Sequence, residues 1–271
     1  MEKTKEDNDD SASSGKLIPP DIQRNSDGGG GGGGRGVVTV AVLILYDFLM
    51  SFMWVSLGGS IKFLVYYVLE LAELTKCCFA VANMFLFSWI CHVTGGASYN
   101  PLTVLSFAFS GDVSTFFLTL FGRIPAQVIG SIIGVKTIIG WFGQVRCSGP
   151  RLKVDIHYGA LTEAFLTFTI VTVSLNLKKK TNKQTNPVPM SFFMKTWISS
   201  ISKLSLHLIG LNFTGGSMNP ATALGWAYAR DDHLSKEHVI VYWLAPLIAT
   251  VFAAGAFHLF SRPMTKKTKS D

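Results

Sequence analysis

The sequence predicts an all-α membrane protein of six transmembrane helices and two re-entrant half-helices, arranged as a 3+3 inverted repeat. Three observations carry this expectation. The 271 residues are 48% hydrophobic and only 15% charged, with a mean hydropathy of +0.35; an ordinary soluble domain carries roughly 25% charged residues. The apolar residues gather in blocks of about 20, each long enough to cross about 30 Å of hydrocarbon. Two short segments also repeat one another: Gly95-Gly96-Ala97-Ser98-Tyr99-Asn100-Pro101-Leu102-Thr103 and Thr214-Gly215-Gly216-Ser217-Met218-Asn219-Pro220-Ala221-Thr222.

Residues 1–36 are polar and run into seven consecutive glycines, Gly28 to Gly34. Such a stretch buries too little apolar surface to offset its ordering entropy, so a disordered cytosolic tail is expected. It carries no apolar core behind a basic start, which argues against a cleaved signal peptide. No strand precedes the glycines and no Gly-Lys-Ser/Thr follows, which excludes a phosphate cradle. Residues 37–260 form the expected membrane domain, with one repeat over about 37–141 and another over about 159–260. A basic cytosolic tail, 261–271, follows.

The six blocks fall near Val37–Leu57, Leu71–Val93, Thr115–Trp141, Gly159–Leu177, Ser191–Gly210 and Val239–Phe260. The second is flanked or entered by Glu70, Glu73 and Lys76, and the fifth holds Lys195 and Lys203. Such charges snorkel to the interface or face the bundle interior. Lysine and arginine concentrate in the N-terminal tail, in Lys178–Lys180 with Lys183, and in the C-terminal tail. With six spans these segments share one side, and the positive-inside rule makes that side cytosolic.

The net charge of +7 sits in tails and connectors and forms no stripe interleaved with exposed aromatics, so no nucleic-acid partner is expected. Cys77, Cys78, Cys91 and Cys147 show neither metal spacing nor a C-x-x-C pair, and read as reduced structural thiols. No metal and no cofactor is expected.

The repeated segments have a direct physical reading. Asn is a strong helix N-cap and Pro is favoured at the first helical position, so each Asn-Pro should start a helix. The apolar stretches that follow, Leu102–Ser110 and Ala221–Ala229, are about nine residues, or roughly 14 Å, which is half a bilayer. Entering from opposite faces, they would meet N-terminus to N-terminus near the midplane, where irregular backbone survives only if buried or lining a wet cavity. The surroundings repeat too. Pro125 follows Asn100 by 25 residues and Pro246 follows Asn219 by 27, while Asp47 and Glu163 precede those asparagines by 53 and 56.

On these residues the chain resembles the aquaporin (major intrinsic protein) family: the paired boxes, the Glu of the fourth block and the stretch Tyr242-Trp243-Leu244-Ala245-Pro246. The first box reads Asn-Pro-Leu and the chain is basic, a combination similar to the second subtype of the plant small basic intrinsic proteins. The resemblance implies a passive channel for water and possibly other small uncharged solutes, of low to moderate water permeability. Its boxes would be Asn100, Pro101 and Leu102 with Asn219, Pro220 and Ala221. Each asparagine would hold an amide toward the lumen, and the inward-pointing helix dipoles would oppose cations and protons.

The resemblance also implies a second, outer filter. Its positions fall on His207, Gly216 and Thr222, and on Phe79 if one residue is inserted before Asn100, or on Ala80 if not. Thr222 stands where most of the family has Arg. Asp47 and Glu163 would anchor the re-entrant loops, with a proton relay as the rival reading. The family further implies a homotetramer with one pore per subunit, in the endoplasmic reticulum membrane.

Other features carry less. Gly130-x-x-x-Gly134 suggests close helix packing within or between subunits. Asn212-Phe213-Thr214 matches a glycosylation acceptor but abuts a re-entrant loop, which makes it a chance match. Lys267 and Lys269 fit a coat-read retrieval signal. No paired carboxylates and no nucleophile–base constellation appear, so an enzyme is not expected. Two rivals remain: a coupled secondary transporter, which would need a charged substrate site, and a non-conducting scaffold plugged by Leu102.

Overall fold

The computed structural model describes residues 33–70, 72–109, 111–143, 149–178 and 190–261. They form ten α-helices: α1 Gly33–Phe63, α2 Glu73–Val93, α3 Pro101–Ala108, α4 Val113–Leu118, α5 Ile124–Phe142, α6 Ile156–Lys178, α7 Phe192–Gly210, α8 Pro220–Arg230, α9 Lys236–Val239 and α10 Ala245–Ser261. No β-strand occurs among the described residues. The all-α architecture with paired half-helices is the one expected.

α4 and α5 join into one span through a π-helical turn, Thr119–Arg123, and α9 and α10 join through another, Ile240–Leu244. In each case a proline, Pro125 or Pro246, stands two residues beyond the turn. Proline has no N–H to donate and its ring crowds the carbonyl four residues back; the wider π-turn takes up that mismatch. Both repeats use the same device at the same place.

Five of the spans are long and apolar enough to cross a bilayer: Thr39–Tyr66, Leu74–Val93, Val113–Phe142, Ile156–Lys178 and Lys236–Ser261. α7 matches the fifth predicted block, Ser191–Gly210, in place and length. It is less apolar than the other five because Lys195, Lys203, His207 and a series of serines dilute its apolar residues.

One boundary moves. α1 begins at Gly33, inside the stretch 1–36 expected to be a tail. A helix nucleated by the apolar run beyond Val37 extends backward by about a turn, even through residues of poor propensity. The rest of that tail, Cys147, Lys179–Lys183 and the C-terminal lysines lie outside the described residues.

Around the bundle, α5 packs on α1, α1 on α2, α2 on α7, α7 on α6 and α6 on α10. The half-helices close the ring by exchange. α8, from the second repeat, packs on α5 of the first, and Trp226 joins Val55, Val135 and Ile138 in one cluster. α3, from the first, packs on α10 and α6 of the second, where Phe107 lies against Val171, Leu175, Ala253, Ala254 and Phe257. Each repeat is thus filled by the other's half-helix. Outward faces carry Phe121, Trp141, Phe168 and Phe252, as lipid contact requires, because lipid tails supply no hydrophobic drive for helix association and tight packing must do so.

That packing is closest where glycines stand. A Cβ on Gly130 would lie 2.3 Å from the Phe48 carbonyl oxygen, and one on Gly134 would lie 2.9 Å from that of Phe52. The Gly130–Gly134 pair therefore seats α5 on α1 within one subunit.

Candidate functional site

The two box sequences meet tip to tip. Asn100 caps α3: its Oδ1 accepts from the Leu102 N–H at 3.0 Å. Asn219 caps α8, accepting from the Thr222 N–H at 3.3 Å. Pro101 and Pro220 occupy the first helical positions, as the sequence predicts. Each asparagine then reaches across to the opposite repeat. Asn100 Nδ2 donates to the Met218 carbonyl at 2.7 Å, and Asn219 Nδ2 donates to the Tyr99 carbonyl at 3.1 Å. Every carboxamide has two N–H donors, so each keeps one beyond its crosswise bond. α3 has 8 residues and α8 has 11, or about 12 and 16 Å at 1.5 Å per residue, each close to half the hydrocarbon thickness.

The loops before the boxes are held by buried carboxylates. Asp47, in the middle of α1, accepts from the Ser98 N–H at 2.6 Å. It also forms a bidentate pair with Arg123, whose Nη2 donates onward to the Gly96 carbonyl at 2.8 Å. Glu163 in α6 accepts from the Thr214 hydroxyl at 2.6 Å, the Ser217 N–H at 2.8 Å and the Met218 N–H at 2.9 Å. The Tyr242 hydroxyl donates to the Thr214 carbonyl at 2.7 Å. Thr214 is thus committed inside the loop, its hydroxyl turned to Glu163 and its side chain buried, which gives it a packing role within Asn212-Phe213-Thr214. Gly95, Gly96, Gly215 and Gly216 all have positive φ, and so does Met218 at 46°. For a residue with a Cβ this is strained backbone, and Met218 is the one whose N–H and carbonyl serve Glu163 and Asn100.

The four positions assigned to the second filter are only partly assembled. His207 Nδ1 lies 3.0 Å from the Gly216 carbonyl. A Cβ on Gly216 would lie 2.6 Å from the His207 carbonyl oxygen, so no larger residue fits there. The Thr222 hydroxyl is buried without a hydrogen-bond partner. Phe79 does not join this group by position. It is 38% exposed on α2 and stands about 80° around the helix from buried Phe87 at 3.6 residues per turn. Ala80, Asn83 and Phe87 share one face, and the latter two are buried. The uncertainty of one residue in the loop is a matter of helix phase, and phase favours Ala80.

Leu102 is 1% exposed, so its side chain is packed in protein and borders no accessible space. Ala221 is likewise buried. Two further residues were not foreseen as site residues. Arg123 is the counter-ion of Asp47; a lone arginine inside an apolar block, in a chain with an apolar-block Asp, was the available signal. Lys203 donates from Nζ to the Tyr99 hydroxyl at 3.1 Å. Cys77, Cys78 and Cys91 are free thiols.

Five apolar spans with the more polar α7 beside them, exchanged half-helices and paired Asn-Pro caps define a membrane channel of the inverted-repeat class. The chain belongs to the Major intrinsic protein family, whose sequence profile matches residues 38–257. It is 45% identical over 231 residues to the probable aquaporin SIP2-1 of Arabidopsis thaliana, covering 83% of this chain and 94% of that one. It is 47% identical over 234 residues to aquaporin SIP2-1 of Zea mays, covering 84% and 90%. Aquaporin SIP1-1 of Oryza sativa subsp. japonica is 35% identical over 239 residues. In three dimensions the chain matches the X-ray structure of the aquaglyceroporin from Plasmodium falciparum with a TM-score of 0.62, at 16% identity, over 80% of this chain and 95% of that one. The family consists of channels for water or small solutes, not enzymes, and the chain is a multi-pass membrane protein of that kind.

Proposed function

We propose that the chain conducts water and other small uncharged solutes passively, along a path that passes between Asn100 and Asn219. The crosswise bonds Asn100 to Met218 and Asn219 to Tyr99 support this. They fix both carboxamides at the meeting point of two helix N-termini, each with one N–H left over. A passing water accepts both through its oxygen, which breaks the donor–acceptor order of the file. The dipole ends, each worth about half a positive charge, repel cations at the same point.

Asp47 and Glu163 act as loop anchors in this reading, because every hydrogen bond described above that they accept comes from a loop or from a group that holds one. A proton relay would instead need one of them to face the path. The second filter consists of Ala80, His207, Gly216 and Thr222, and is wider than one with Arg and a large aromatic. The protein is a homotetramer with one path per subunit and both termini in the cytosol. It sits in the endoplasmic reticulum membrane, with Lys267 and Lys269 as the address; changing both to Ser and finding the reticular pattern unaltered would discount them.

Stopped-flow light scattering of proteoliposomes decides the main claim. Shrinkage faster than in empty vesicles under an impermeant osmolyte, with reswelling in glycerol or urea, is expected. Equal rates in filled and empty vesicles overturn it. A scaffold plugged at Leu102 makes the contrary forecast, with no flux in the natural chain and flux in Leu102→Ala.

A further inference from the structure

A lysine ammonium inside a membrane span is costly unless it is paired or faces a wet cavity. Lys203 stands mid-way along α7, and among the described residues its polar and ring contacts are with Tyr99 and Trp54 and not with a carboxylate. Its Nζ donates to the Tyr99 hydroxyl at 3.1 Å and lies 4.7 Å from the centroid of Trp54 and 4.8 Å from that of Tyr99. Those two rings stack at 4.0 Å and 11° between planes, and Phe87 meets both edge-on at 5.1 and 5.4 Å. The negative faces of stacked aromatics attract a cation. Three rings locked together leave the wall little freedom to move.

The contact also crosses the bundle. α7 packs on α2 and α6, while Trp54 belongs to α1, which packs on α5 and α2. Since α2 stands between α1 and α7 around the ring, a side chain of α7 that touches α1 spans the interior. Its depth follows from its neighbours. Lys203 precedes His207 by four residues and so shares its helix face, about 6 Å away along the axis. His207 meets the Gly216 carbonyl, whereas Lys203 meets Tyr99, whose carbonyl accepts from Asn219. Lys203 therefore lies between the level of His207 and the two boxes.

We propose that Lys203 is the fixed cation of the conduit and its narrowest polar element, closing against Trp54 and Tyr99 one helical turn deeper than Thr222's filter. This rests on the channel reading above. Of the three N–H donors of an ammonium, one goes to the Tyr99 hydroxyl. The other two are directed to the oxygen of a passing solute. The site selects for small molecules that offer an acceptor oxygen and no positive charge. It restores the barrier to cations that Thr222 cannot supply.

The test uses the full chain in proteoliposomes, comparing natural protein with Lys203→Met and Lys203→Arg, each checked for monodispersity and thermal midpoint in detergent. Water flux is read by light scattering, and K⁺ and proton leak by entrapped dyes. Lys203→Met should raise water permeability about threefold and cation leak about tenfold, the removal of a like charge at close range being worth at least that. Lys203→Arg should keep the leak low, which a merely structural lysine would not require. If Lys203→Met fails to fold, Trp54→Leu decides: water flux should rise while cation exclusion persists, and unchanged water flux overturns the proposal. A natural chain that conducts, with Lys203→Met equal to it in both readouts, overturns this inference alone. Natural chain and variant both at the level of empty vesicles overturn the channel reading, and this one with it.

Discussion

In the first repeat the loop before Asn100 is held by a short carboxylate and a guanidinium; in the second, the loop before Asn219 is held by a longer carboxylate, a threonine and a tyrosine. The positions correspond. Arg123 and Leu244 each end a π-turn two residues before a proline. Gly95 and Thr214 each stand five residues before the asparagine. Asp47 accepts from one loop N–H, and Arg123 reaches the Gly96 carbonyl. Glu163 accepts from two N–H groups and a hydroxyl, with no cation beside it among the described residues. One loop geometry is thus fixed by two chemistries. The methylene missing from Asp47 is made up by an arginine from the neighbouring span, and where the longer Glu163 serves, leucine takes that place.

The comparison is broken most severely by removing the cation that only one side has. Arg123→Met should cost about 3–5 kcal/mol, because it strands a buried carboxylate, and should lower the thermal midpoint in detergent more than any of the other substitutions. Leu244→Met, its counterpart, should be nearly silent. The third spans sharpen the contrast. Gly130→Ala drives a Cβ into the Phe48 carbonyl and should cost about 3 kcal/mol by overpacking. Gly255→Ala in α10 meets nothing within 4 Å and should gain about 0.5–1 kcal/mol from helix propensity; both are read as midpoint shifts. Glu163→Gln puts an amide donor against one of three donors and should cost about 2 kcal/mol, visible as earlier amide exchange in the 214–218 loop. Tyr242→Phe deletes one buried bond to the Thr214 carbonyl and should cost about 1 kcal/mol, the smallest loss among the three loop-holding side chains Arg123, Glu163 and Tyr242, again by thermal midpoint.

Local chemistry made the boxes legible. Asn as cap and Pro at the first turn dictate a helix start without reference to the rest of the chain, and α3 and α8 begin at Pro101 and Pro220. Spans were legible for the same reason, since block length and hydrocarbon thickness agree. What sequence left open depends on phase or partnership. Phe79 and Ala80 differ by one residue of loop, and only the burial of Asn83 and Phe87 tells which face of α2 turns inward. Arg123 belongs to Asp47 across 76 positions, a pairing that no local pattern encodes. Lys203 was visible as a charge within a block, but its destination on Trp54 and Tyr99 follows from how α1, α2 and α7 are ordered around the ring.

The polarity of α7 bears on how the chain is made. On insertion scales a lysine near the middle of a helix costs about 2.5–3.5 kcal/mol, and α7 carries Lys195, Lys203 and His207 within 19 residues. Emerging alone from the ribosome, such a segment gains little by leaving water for lipid. Its seat has to exist first: α2 and α6 to lean on, and the aromatic pair of α1 to receive the ammonium. An ordered biogenesis is the expectation that follows from this polarity, with the apolar spans embedding as they are synthesised and α7 drawn in after them by contacts on α2, α6 and α1.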